Sequence, residues 1–187
     1  MTREHLDIIA SYVDVLSIAL CASPKKINLE HPKTIFIVHG HDRLSLTELE
    51  LICLRFDIKP YILQNEPSFG LSIIEILEQK IGADPAVSFG VVLMTADDMV
   101  FTDKTSGKTV FRARQNVLLE AGMLFSSIGR PRVALLARAD IDVPSDLGGI
   151  LYLRFDKSVK ETVPKLAAHL RHAGFPITET QEIEAGR

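Results

Sequence analysis

No apolar run in this 187-residue chain approaches the ~18 residues that a membrane-spanning helix requires. The opening residues, MTREHLD, carry acids where a secretory signal needs a basic stretch, so a cytoplasmic protein is expected. Cysteine is scarce. Cys21 and Cys53 are too few for a disulfide framework and fit a reducing compartment. Positive charge is not in surplus either: 21 Lys and Arg against 24 Asp and Glu leave a net charge of −3 and a pI near 6.1. Phosphate backbones demand an excess of basic residues, so nucleic acid is not expected as the main partner, and without a spanning run no membrane is expected either. Several chemical fingerprints are also missing. There is no GxxxxGK[ST] or GxGxxG for nucleotides, no GxSxG elbow and no CxxC for zinc. His39 and His41 in HGHD form too weak a pair to argue for a metal, because a histidine beside a glycine turn is more often a hydrogen-bonding loop residue.

What is present points to one globular domain, with 47 % hydrophobic and 24 % charged residues. Five short apolar runs fall at residues 34–38 (TIFIV), 59–63 (KPYIL), 89–95 (FGVVLMT), 132–138 (RVALLAR) and 149–155 (GILYLRF). They are continuous rather than alternating, the pattern of strands covered on both faces. Helical stretches lie between or after them, at about residues 44–56, 71–81, 112–127 and 158–173. Strand alternating with helix predicts an α/β fold: a three-layer sandwich of flavodoxin type around a five-stranded parallel sheet. Ahead of it, Leu6, Ile9, Val13, Leu16 and Leu20 form a helical apolar stripe, followed by a Pro-containing linker. The expected organisation is therefore helix and linker at residues 1–31, main domain at 32–176, and a polar, loosely ordered tail at 177–187.

In an open parallel sheet, ligands bind beyond the carboxyl ends of the strands. The first strand is followed there by His39, Gly40, His41, Asp42 and Arg43. The second leads into Gln64–Gly70 with Phe69 at its end, and the third into Ala96, Asp97 and Asp98. Ordinary turn chemistry accounts for each loop taken alone. A stronger signal is Glu120, inside the apolar run VLLEAGMLF. On a continuous helix it shares a face with Asn116 and Arg112. Desolvating a carboxylate costs several kcal/mol unless it is paired. Two explanations stand level: a carboxylate kept ionised for a ligand, or a buried ion pair with an arginine.

The segments FIVHGHD, FGLSIIE, VVLMTADD, RARQNVLLEAGMLF and PSDLGGILYLRFD together resemble the bacterial TIR-like domain of predicted nucleotide-binding proteins. That domain is the effector module of CBASS and Pycsar anti-phage systems. The resemblance runs from about Thr34 to Phe175, and RARQNV with the glutamate helix is its specific part. It implies a flavodoxin-like fold and hydrolysis of NAD⁺ to nicotinamide and ADP-ribose or a cyclic form. NAD⁺ would be substrate, with no further cofactor. The family's catalytic glutamate maps onto Glu120, whereas His41 stands where the family often has Arg or Lys. Family members usually carry a sensor domain for a cyclic nucleotide or dinucleotide; the stretch before Thr34 is too short for one, so either the sensor lies on another polypeptide or the protein works differently, and a cyclic nucleotide or a sensor protein is the expected partner.

The implied mechanism is simple, since the leaving group is already cationic. Glu120 would bind the ribose hydroxyls and face the developing oxocarbenium charge. Amides of the 39–43 loop, with Arg112 or Arg114, would hold the pyrophosphate. Asp97 would orient a ribose or the adenosine. Phe69 and Gly70 would contact a neighbouring subunit, so an active homo-oligomer is expected. Three rival readings are a nucleoside deoxyribosyltransferase-like enzyme, a non-enzymatic nucleotide-binding TIR module, and a phosphoacceptor receiver. The last needs an acidic pair after the first strand, where only Asp42 stands.

Overall fold

A computed structural model of the protein describes residues 34–62, 75, 89–101, 109–142 and 150–187, all within the unit His31–Arg187. The N-terminal stripe and linker, almost all of the helix expected at 71–81, and Phe69 and Gly70 lie outside the described residues.

Burial along the first strand explains the layers. In β1 (Thr34–His39), Ile35 and Ile37 join one apolar cluster while Phe36 and Val38 join another on the opposite face. A strand buried on both faces needs helices on both faces. β1 lies in a five-stranded parallel sheet with β2 (Lys59–Ile62), β3 (Phe89–Met94), β6 (Val133–Arg138) and β8 (Leu151–Phe155), in the order β2-β1-β3-β6-β8. This is the flavodoxin-like arrangement expected from the alternating runs.

On one face sit α1 (Arg43–Arg55), α3 (Val163–His172) and α4 (Glu179–Gly186), whose Leu49, Ile52, Leu166, Leu170 and Ala185 are almost or entirely buried. Each fully buried Leu or Ile contributes about 1.5–3 kcal/mol by leaving water. On the other face α2 (Gln115–Ile128) lays Val117, Ala121 and Leu124 against the sheet. Gly90 permits that approach: a Cβ there would sit 3.1 Å from Leu124 and 3.2 Å from Ile128.

The structure revises several expectations. Arg112 does not open the helix. It ends β5 (Thr109–Arg112), which pairs antiparallel with β4 (Asp98–Phe101) and parallel with β7 (Ile141–Asp142) in a small second sheet. Asp98 accordingly begins a strand instead of continuing a loop. The helix expected at 158–173 starts as a 3-10 turn, Val159–Thr162, capped by Ser158 and Glu161, and becomes α-helical only at Val163.

The tail is not loose. Thr178 and Gln181 form a reciprocal capping box that starts α4. Arg171 pairs with Glu182, and Arg55 Nη1 donates to the Glu184 carbonyl at 2.7 Å. Ala185 is fully buried against the neighbouring helices.

Candidate functional site

The connections that leave β1 and β3 run to opposite faces, one into α1 and the other toward α2. In open α/β sheets such a reversal is where ligands bind, beyond the carboxyl ends of the two strands. The sequence places HGHD at one lip and TADD at the other.

His39 ends β1 and is 1 % exposed. Its Nδ1 lies 2.6 Å from the Gly40 carbonyl. A carbonyl only accepts, so Nδ1 carries the hydrogen. Burial holds the imidazole below its ordinary pKa of 6.5, partly opposed by the Gly40 bond, so the ring is neutral near pH 7. Gly40 runs directly beneath Asp97, and a Cβ on it would overlap Asp97 Oδ2. Asp97 Oδ1 accepts from the His41 amide at 2.9 Å and from Thr95 Oγ1 at 3.2 Å. Asp97 Oδ2 is buried, with no hydrogen-bond partner among the described residues.

Asp42 has a structural duty. Its carboxylate caps α1, accepting from the Ser45 amide at 3.0 Å and from Ser45 Oγ at 2.9 Å. The His41 and Ser45 amides are thus already engaged, and the loop is less able to cradle a phosphate than its sequence suggests. The N-terminus of α2 offers more. Arg114 occupies its cap position with no side-chain hydrogen bond to the helix, and no acid lies in the first turn. Arg114 Nη1 lies 2.6 Å from His41 Nε2. Guanidinium can only donate, so His41 presents a lone pair there.

Glu120 is 4 % exposed, on the sheet-facing side of α2. Its height is bracketed by two neighbours. Leu118 lines a cavity with Met94 at the end of β3, and Leu124 lies over Gly90 near the start of β3. With a rise of about 1.5 Å per residue, Glu120 is nearer the level of the carboxyl rim. Its expected companions are elsewhere. Arg112 donates through Nε and Nη2 to Asp142 Oδ2, at 3.1 and 2.9 Å, and Asn116 is exposed on the first turn of α2.

Sequence reasoning missed Arg138. It ends β6 and forks onto Asp140 at 2.7 and 2.8 Å, while Nη1 lies 3.8 Å from Asp42 Oδ2. This hydrogen-bonded pairing holds the Asp140 carboxyl below its usual range. The rule that located the other loops, inspecting the residues at the carboxyl end of each strand, would have found Arg138 had it been extended to the fourth strand of the main sheet. Among the described residues no group of three His, Cys, Asp or Glu side chains is arranged to hold a metal ion. Cys53 is fully buried, which pushes its thiol up to about 12 and leaves it unreactive.

Topology and crevice together define a doubly wound α/β domain with a polar switch-point site and a desolvated helix carboxylate. The family model for the TIR domain of CAP12/Pycsar effector proteins matches residues 34–157, and the chain belongs to that family. It is 39 % identical over 153 residues to the uncharacterized protein YuaY of Escherichia coli K12, covering 82 % of this chain and 50 % of YuaY. It is 32 % identical over 136 residues to protein tirC of Dictyostelium discoideum, covering 68 % and 66 %. A CD-NTase-associated protein 12 from Niabella drilacis is 26 % identical over 137 residues, covering 70 % and 42 %. The chain thus spans between about two-fifths and two-thirds of the length of these curated relatives. Among the described residues no helix is long and apolar enough to cross a membrane.

Proposed function

We propose that this domain cleaves the nicotinamide–ribose bond of NAD⁺ as an effector of anti-phage defence. The observation that carries the reading is Glu120, a carboxylate 4 % exposed on the inner face of α2. When the bond breaks, its electron pair leaves with nicotinamide and the ribose C1′ becomes oxocarbenium-like. Water then adds at C1′ and releases a proton, giving nicotinamide, ADP-ribose and H⁺. An ionised carboxylate in a water-poor setting stabilises that developing cation far better than one in bulk water. The pyrophosphate belongs at the N-terminus of α2, where Arg114 and the first amides of the helix meet it. Asp97, whose Oδ2 has no hydrogen-bond partner among the described residues, would accept from a ribose hydroxyl.

Glu120→Gln keeps the shape and removes the charge. Nicotinamide release, followed by chromatography, is expected to fall by at least ~10²–10³-fold, the usual cost of one transition-state electrostatic contact. Retained turnover would refute the assignment. We also propose that subunits assemble for activity and that a cyclic nucleotide or a sensor protein triggers them, as the CD-NTase-associated name of a relative suggests. The rate per subunit is then expected to rise with protein concentration and to fall on dilution. A flat dependence would count against assembly.

A second reading has one observation in its favour. A side chain as buried as Glu120 also suits a purely structural ion pair. The domain would then bind a nucleotide without cutting it, and calorimetry would register NAD⁺ binding with no nicotinamide produced.

A further inference from the structure

α2 differs from the other described helices on its outer side. From Gln115 to Ile128 its only charged residue is Glu120, and that side chain is buried on the inner face. The outward face is Gln115, Leu119, Gly122 and Ser126, spaced three and four residues apart and all exposed. Half-buried Met123 and Phe125 run along its flanks, and Leu119 is 62 % exposed. The other helices carry charge on their exposed positions: Arg43 on α1, Lys165 on α3, Glu179 and Glu184 on α4.

Gly122 sharpens the contrast. Glycine inside a helix loses more backbone entropy on folding than alanine would, so its presence there needs a reason. Packing supplies none among the described residues, because a Cβ at Gly122 would meet nothing within 4 Å. What the absent side chain leaves is a place where a second body comes close to the α2 backbone.

Charge selects that body. In a contact between two copies related by a twofold axis, each residue near the axis faces its own counterpart. A charge there meets the same charge and is repelled. The exposed apolar stripe of α1, Leu44, Leu51 and Leu54, suffers from this, because Glu48 and Glu50 flank its middle. The face of α2 has no such conflict. The nearest basic residues along the chain, Arg114 and Arg130, are each eight residues from Gly122. At helical rise that is about 12 Å, beyond the screening length of about 8 Å at physiological salt.

We propose that the outer face of α2 docks a second copy of this chain, with the two helices crossing at Gly122 and Leu119 of each packed against the other. One helix face per copy makes a small interface, so the contact is weak and reversible, as those below about 1,200 Å² are. It gives the assembly proposed above a surface, on the helix whose inner side holds Glu120, and rests on that reading for this link alone.

The test uses the whole chain without NAD⁺. Sedimentation is expected to show a monomer–dimer equilibrium that tightens in sodium sulfate, since apolar burial drives it. Gly122→Arg fills open space with a better helix former. It is expected to keep or raise the melting midpoint while weakening the dimer at least ~10-fold, by setting two like charges together. A second variant needs no folding argument. In a Cys21→Ser background, Gly122→Cys is expected to link two copies under mild oxidation, because the crossing brings its Cα atoms within the ~7 Å a disulfide needs. Thr180→Cys, exposed on α4, is expected to stay unlinked, and the buried Cys53 takes no part.

A wild type that remains monomeric up to roughly 1 mM, a dimer that survives Gly122→Arg, or equal linking at the two cysteines overturns the proposal. Nicotinamide release separates the two claims. A dimer lost in Gly122→Arg, with a rate per subunit that never varies with wild-type concentration, keeps the contact and removes assembly as a condition of activity. A rate that rises with concentration equally in wild type and Gly122→Arg does the reverse.

Discussion

The two faces of the main sheet are built to different rules. On the side of α1, α3 and α4, polar groups find their partners within the fold. Asp42 caps α1, Glu161 gathers the amides of Asp156, Lys157 and Ser158, and Thr178 and Gln181 cap each other's turn. The side of α2 is built differently. The helix starts with no capping side chain, carries a buried glutamate on its inner face, and borders a cavity lined by the Arg112–Asp142 ion pair. Both faces have apolar clusters, so stability does not explain the contrast. A face whose polar groups are matched within the fold has little left to offer a ligand, so the side of α2 is where a ligand is sought.

The contrast can be broken by experiment, and the largest effect is expected at Glu120. Glu120→Gln should remove turnover while shifting the melting midpoint little. A loss of about 3–5 kcal/mol in stability instead would mark a structural ion pair and erase the difference between the faces. Next in size is Gly40→Ala. The added methyl displaces Asp97, which loses its bonds from His41 and Thr95, so a cost of about 1–3 kcal/mol in urea unfolding and a weakened affinity for NAD⁺ are expected together.

Thr178→Ala probes the other face. Losing this cap is expected to cost about 1 kcal/mol, or about 2–4 °C in melting midpoint, with activity unchanged.

The smallest effect is that of pH. The unfolded chain protonates His39 as pH falls through 6.5, whereas the buried ring stays neutral. The unfolded state then binds more protons, so stability is complete above 6.5 and declines as pH falls below it toward the depressed native value. Glu161, held below its ordinary 4.5 by three backbone amides, loses its contribution only at lower pH, so the windows are separable. Urea midpoints at pH 7.5 and 5.5 should therefore differ in the wild type and converge in His39→Gln.

Much of the fold was legible because its signals are local. Continuous apolar runs with helices between them leave few alternatives to a parallel sheet with covered faces. Glu120 was legible for the same reason, as a charge interrupting an apolar stripe. Arg112 was not. The run FRARQ contains good helix formers, and only pairing with β4 and β7, from distant parts of the chain, makes its first two residues a strand. The tail hid differently. Its capping box was written in Thr178 and Gln181, but Ile183 is exposed and no apolar stripe marks the helix; what holds it is reach from Arg55 and Arg171.

Composition and periodicity by themselves determined the layers, the sheet and the presence of one carboxylate where water is scarce, because hydrophobic burial acts through the spacing of side chains along each element. Only the tertiary structure decided that Asp97 closes over Gly40, that His41 meets Arg114 across 73 positions, and that Arg112 faces Asp142 instead of Glu120. Those contacts join loops and strands far apart in the chain, and no local pattern encodes which of them will meet.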